Sequence, residues 1–191
     1  MPLKGVLLEE LRDMYSAENQ LVKALPKLAK GANNAKLKEL FTAHLEETKG
    51  QVERLKEVFA HLEEKPTGEH CDGMEGIVEE GKNALEKDEE GASFDCGLIG
   101  AALRTEHYEI AGYQTTIAMA KTLGMQDVID LLTENLNEEM AAAAKITEAA
   151  KSILLESSEE PEQEKKRPRS AKAQKSREDE RQTAGGRKRA S

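Results

Sequence analysis

The stretch from Gly97 to Gly124, GLIGAALRTEHYEIAGYQTTIAMAKTLG, has the pattern of one helix: Ile99, Leu103, Ile110, Ile117 and Ala120 recur at three, four and seven along one apolar face. Glu106 stands in the middle of that face, between Leu103 and Ile110. Glu109 lies one turn on beside it, and Tyr113 follows Glu106 at seven. A carboxylate taken from water into a packed interior costs several kcal/mol even after relaxation. Any fold for this chain must therefore bury the helix and compensate its acids.

The remaining segments repeat the problem. A first helix is predicted from about Leu3 to Lys30, with the seam Leu7, Leu11, Met14, Glu18, Leu21, Leu25, Leu28 and a kink at Pro26. The turn GANNA ends it and makes the next helix an antiparallel neighbour. That second helix, about Ala35 to Glu64, carries Leu37, Leu40, Phe41, Leu45, Val52, Leu55, Val58, Phe59 and Leu62, but its midpoint is polar: His44, Thr48 and Gln51, with Glu47 at the edge. A shorter helix is expected from Met74 to Lys87, and with the flanking stretch DEEGASFD it makes a long crossover. A last helix, about Gln126 to Leu155, buries Val128, Leu132, Ile146, Ala150 and Ile153, with Glu139 on the stripe, Asn135 a turn before and Glu138 at the edge. Two short-linked helix pairs joined by a long crossover define an all-α, ferritin-like four-helix bundle with a short extra helix in the crossover.

Composition supports one helical domain, residues 1–156, and a net-basic, mixed-charge tail, residues 157–191, too polar to repay its ordering entropy. The whole-chain net charge of −9 hides an asymmetry: the body is strongly acidic, the tail is net basic, and the body has no claim on nucleic acid. In the tail, KKRPR and RKR could touch polyanions, but neighbouring acids make this the lesser expectation. Cys71 and Cys96 are far apart and outside any CxxC, which fits neither a disulfide framework nor a zinc site. The amphipathic start, MPLKGVLLEELRDMY, is unlike a signal peptide, and no apolar run reaches spanning length, so a cytoplasmic protein with no membrane partner is expected.

Carboxylates at the midpoints of all four long helices are the arrangement that holds a pair of metal ions, whose charge offsets that of the buried acids. The common pattern uses two single Glu ligands and two Glu-x-x-His pairs. Glu18 and Glu109 can be the single ligands, but Glu47 is followed at three by Gly50, and Glu139 by Ala142. The competing reading is a polar core without metal. In it Glu47 and Glu138 are rim residues in water, His44 is a satisfied core histidine, His107 is on the surface, and Tyr113 is satisfied by one of the acids. The two helix pairs also align with each other at an offset of 91, pairing Glu18 with Glu109 and Glu47 with Glu138. A duplicated helix pair would place equivalent acids around a pseudo-twofold axis.

The pieces YSAENQLVKALPKLAK, HLEETKGQVERL, MEGIVEE, EHYEIAGY and LNEE, in that order between Leu7 and Ile153, make the chain resemble the YciE/YciF group of small bacterial ferritin-like proteins. The resemblance implies a stress-associated setting, a homodimer and a dinuclear centre of iron or manganese. It carries over as metal-site residues Glu18, Glu47, Glu106, Glu109 and Glu139, with Gln51 where many relatives have His. An alanine, Ala143, stands where relatives commonly have an acid, which favours a looser carboxylate site over a full oxygen-activating one. The leading expectation is metal binding with ferroxidase or peroxide-consuming activity. The alternative is a metal-free structural or interaction protein that uses the bundle as a dimerisation scaffold.

Overall fold

The structure is a computed structural model that describes residues 2–87 and 92–159. The expected tail from 160 onward, and the acidic tip of the crossover at 88–91, lie outside the described residues. Five helices follow in order: α1 (Leu3–Gly31), α2 (Ala35–His61), α3 (Asp72–Leu85), α4 (Ala92–Thr122) and α5 (Gln126–Glu159). Among the described residues there is no strand. Among the same residues no helix is long and apolar enough to cross a membrane.

The bundle order around the axis is α1, α2, α5, α4, each packing on the next, and α3 lies against α1 and α4. Helix directions follow from which residues share a core. The C-terminal half of α1 (Leu21, Leu25), the start of α2 (Leu37, Phe41), the start of α4 (Phe94, Leu98) and the end of α5 (Ile146, Ile153) pack together. The start of α1 (Leu7, Leu11), the end of α2 (Leu55, Phe59), the end of α4 (Ile117, Ala120) and the start of α5 (Val128, Leu132) form the other cluster. Helix α4 therefore runs antiparallel to α1, and the crossover with α3 must climb the length of the bundle to reach its start. The polar midpoints of the helices fall between the two apolar clusters.

Short-range chemistry sets the ends. Asn34 caps α2, its side chain accepting from the backbone N–H groups of Lys36 and Leu37 at 2.9 and 3.2 Å. Buried Asp95 of α4 accepts from the N–H groups of Asn33 and Asn34 at 2.9 and 2.6 Å, tying that turn to the crossover's end. Gly124, at φ +69°, closes the tight turn between α4 and α5 in the left-handed conformation that glycine tolerates. Cys71 caps α3: its Sγ accepts from the Met74 N–H at 3.3 Å and sits 2.9 Å from the Tyr108 hydroxyl.

Two boundaries differ from expectation. Ala92 to Asp95, read as part of the link, are already helical, and α5 continues to Glu159. Helix α1 runs through Pro26 as one element, with Pro26 on its exposed side. The buried face of α4 is also rotated from the one drawn above: Leu103 and Ile110 are only half-buried, whereas Leu98, Ala102, Glu106, Glu109 and Tyr113 are buried. This helix packs against α1, α3 and α5 together. A helix covered on most sides has no sharp apolar stripe from which its phase can be read.

Candidate metal centre

Between the two apolar clusters lies a layer of buried polar side chains. Glu18 from α1, Thr48 and Gln51 from α2, Glu109 from α4, and Asn135 and Glu139 from α5 have no exposed surface. His44 and Glu106 are within a few per cent of the same burial. Each stands where its helix seam passes the bundle midpoint, so the periodicity that buries the leucines buries the acids too.

His44, Glu106, Glu109 and Glu139 each offer a ligand atom, and these atoms all lie within 4.8 Å of one another. The Nε2 of His44 is 3.4 Å from Glu106 and 3.8 Å from Glu139. Glu18 enters from the α1 side, held by the Tyr113 hydroxyl, which donates to its Oε1. Tyr113 in turn accepts from the Asn135 amide at 2.9 Å. Gln51 points its amide at Glu139 Oε1.

The electrostatics are those of an uncompensated site. Burial raises the pKa of Glu18, and the nearby charge of Glu139 adds to it. Glu106 is raised by burial and then by Glu139; Glu109 by burial and then by Glu18. Burial, then the charge of Glu18, likewise keeps the Tyr113 phenol protonated. Several acceptors have no hydrogen-bond partner: Oε2 of Glu18, Glu106 and Glu139, both carboxylate oxygens of Glu109, Oε1 of Gln51 and Nε2 of His44. Orphaned buried acceptors each cost about 1–3 kcal/mol, more for charged groups. So many converging in one layer fit a cation, which has no donor protons to place and satisfies several lone pairs at once.

The expected site residues thus divide. Glu18, Gln51, Glu106, Glu109 and Glu139 meet at the centre. Glu47 lies at the rim, its side chain 30% exposed, 3.5 Å from His44 Nδ1 and 3.2 Å from Lys145. The His44 contact, then Lys145 against a modest burial penalty, holds the Glu47 carboxyl below its usual range. His107 is exposed, and Tyr113 is satisfied by an acid, Glu18.

Residues 3–159 match a family described as a domain of unknown function, DUF892. The chain belongs to this family. It is 43% identical over 149 residues to protein YciF of Escherichia coli K12, covering 78% of this chain and 90% of YciF. The crystal structure of the E. coli stress protein YciF superposes with a TM-score of 0.79 at 41% identity, over 81% of this chain and 99% of that one. YcfI of Rhodopseudomonas palustris, described as a candidate structural protein, gives 0.74 at 43% identity, over 77% of this chain and 94% of the other. A Xanthomonas campestris protein at 20% identity and TM-score 0.63 shares the fold.

In this YciF homologue the internal repeat extends beyond the acids used to detect it. The offset that pairs Glu18 with Glu109 also pairs His44 with Asn135 and Arg54 with Lys145. The equivalences hold in space. Arg54 of α2 pairs with Glu138 of α5, and Lys145 of α5 pairs with Glu47 of α2, so each rim acid is held by a cation of the facing helix. Arg54 Nε also donates to Asn135.

His44 is the central residue that sequence reasoning passed over as a satisfied core histidine. Its ring joins two helices' acids, and its Nε2 is left without a hydrogen bond. The signal was present in reverse order: His44 precedes Glu47 by three, a Glu-x-x-His pair read backwards.

Proposed function

We propose that this protein binds a dinuclear iron or manganese centre in the bundle core. His44, Glu106, Glu109 and Glu139 would be the inner ligands, Glu18 a further carboxylate, and Gln51 the residue that orients Glu139. The supporting observation is the convergence of buried carboxylate oxygens that have no hydrogen-bond donor. Redox-active ions held there would supply electrons for reducing an oxidant such as dioxygen or peroxide, a role in keeping with the stress protein it resembles. The chain's own residues bind, orient and exclude water. Tyr113 fixes Glu18 and holds its own proton there, Asn135 fixes Tyr113, and the apolar clusters above and below keep solvent out.

The test is metal analysis of protein purified without chelator, followed by anaerobic reconstitution with Fe(II) and separately with Mn(II). Near-stoichiometric retention of two ions supports the reading; none retained at either metal removes it.

A second reading, a metal-free structural scaffold, has one observation in its favour: the Rhodopseudomonas relative is described as a candidate structural protein. Both readings include a homodimer formed through helix surfaces. Sedimentation equilibrium should give twice the chain mass at micromolar concentration, unchanged by reductant, and a monomer there would sink that part.

A further inference from the structure

The rim of the acid layer has two pseudo-equivalent sides along the α2–α5 interface, and they are not alike. On one, Gln51 fills the space beside Glu139, and Arg54 ties Asn135 and Glu138 together. On the other, the repeat puts Ala142 where Gln51 would be, and the shorter side chain leaves a cavity of about 20 Å³. That is room for one water-sized solute, for which roughly 10–15 Å³ is the threshold.

The cavity is built from apolar walls, among them Phe41, Ala142 and Ile146, with His44 at the inner end and Glu47 and Lys145 also lining it. His44 is 4% exposed, and its Nε2 has no hydrogen-bond partner. Leu40 and Lys145 also line a broad surface groove of about 710 Å³, so the small cavity adjoins open solvent. Glu47 bridges the two environments, touching His44 Nδ1 inside and the half-exposed Lys145 outside.

We infer that the Glu47–Ala142–Lys145 side is the route by which a divalent cation reaches the buried layer, with Glu47 as its first carboxylate and Lys145 as the charge that occupies Glu47 between passages. This rests on the metal-binding reading above. A cation approaching the groove displaces the Lys145 ammonium from Glu47, passes the gap left by Ala142 and meets the His44 ring. On the opposite side the equivalent positions carry Gln51 and Arg54, which reach across to Glu139, Asn135 and Glu138. A residue on a path lowers the barrier in both directions, whereas an inner ligand changes the depth of the well. Association and dissociation rates should therefore change together at Glu47 and Ala142, leaving the equilibrium constant in place.

The experiment follows Co(II) absorbance by stopped flow on the full chain, with chelator-driven release for the reverse rate. Glu47→Gln should slow uptake and release alike by roughly tenfold, the low end of electrostatic steering effects. Ala142→Leu should slow both by filling the gap, and Lys145→Met should speed uptake. Glu46→Gln, an exposed acid of the same helix paired with Lys49, controls for net charge and should leave both rates near wild type. Unchanged rates in Glu47→Gln and Ala142→Leu, with Co(II) bound at equilibrium, would overturn the route but keep the centre. A loss of affinity in Glu47→Gln at an unchanged uptake rate would make Glu47 an inner ligand and also overturn it. No Co(II) bound by the wild type at equilibrium would remove the metal-binding reading itself.

Discussion

At the scale of single residues, Tyr113 shows how this core tolerates its acids. Its hydroxyl gives Glu18 a donor and takes one from Asn135, linking α1, α4 and α5 through one oxygen. Tyr113→Phe keeps the ring's packing but removes the donor to Glu18 and the 2.9 Å acceptor of Asn135, so we expect about 1–3 kcal/mol of destabilisation by urea unfolding of metal-free protein. Unaltered stability would mean the hydroxyl carries none of the compensation. The acids themselves set a pH dependence. Glu18, Glu106 and Glu109 have folded pKa values above their ordinary 4.5, so the native state keeps protons that the unfolded chain has released. Stability of the metal-free protein is then full below about pH 4.5 as regards these groups, and falls as pH rises from there through the folded values. Melting curves from pH 5 to 8 in chelator should show a falling Tm. A flat profile would mean these carboxyls find compensation in solution. Glu18 and Glu106 were legible because each interrupts an aliphatic seam. His44 was not, because an imidazole in a seam reads equally well as packing.

At the scale of elements, the junction of α1, α2 and α4 is held by one buried carboxylate. Asp95 accepts from two successive N–H groups, Asn33 and Asn34, in a turn that also carries the α2 cap. Asp95→Ala would leave both donors without their acceptor, at about 1–3 kcal/mol. Asn34→Ala removes only the cap, at about 1 kcal/mol. Thermal unfolding of the two variants should therefore rank Asp95→Ala as the more damaging, and the reverse order would show that the cap alone holds the turn. The sequence shows GANNA as a turn between two antiparallel helices. Asp95 was assigned to a link because its partner turn is some sixty residues away, a distance no local pattern spans.

At the scale of the whole molecule, the acid layer separates two apolar cores, so its charge state bears on the entire bundle. A cation that binds only the folded state stabilises it by RT ln(1 + [L]/Kd), about 2.7 kcal/mol at a hundredfold excess over Kd. Fe(II) under anaerobic conditions, or Mn(II), should raise the wild-type Tm. Glu109→Gln should abolish most of that rise, while in chelator it costs little or even stabilises by removing one charge from the cluster. Equal wild-type melting temperatures in chelator and in both metals would count decisively against the centre.

Periodicity alone determined that this chain forms long helices, that two short turns pair them, and that the long link between pairs forces a crossover; all three follow from backbone geometry repeated along the chain. It also determined that acids lie at the helix midpoints, because burial of a seam carries every residue on it inward. Tertiary structure alone decided which acids meet. Leu103 and Ile110 are drawn on the buried stripe of α4 and Glu109 beside it, yet the two apolar residues are half-buried and Glu109 is fully buried. The difference is a rotation of each helix about its axis, set by ridges and grooves of the neighbours. A single helix does not encode that rotation when, like α4, it is covered on most sides.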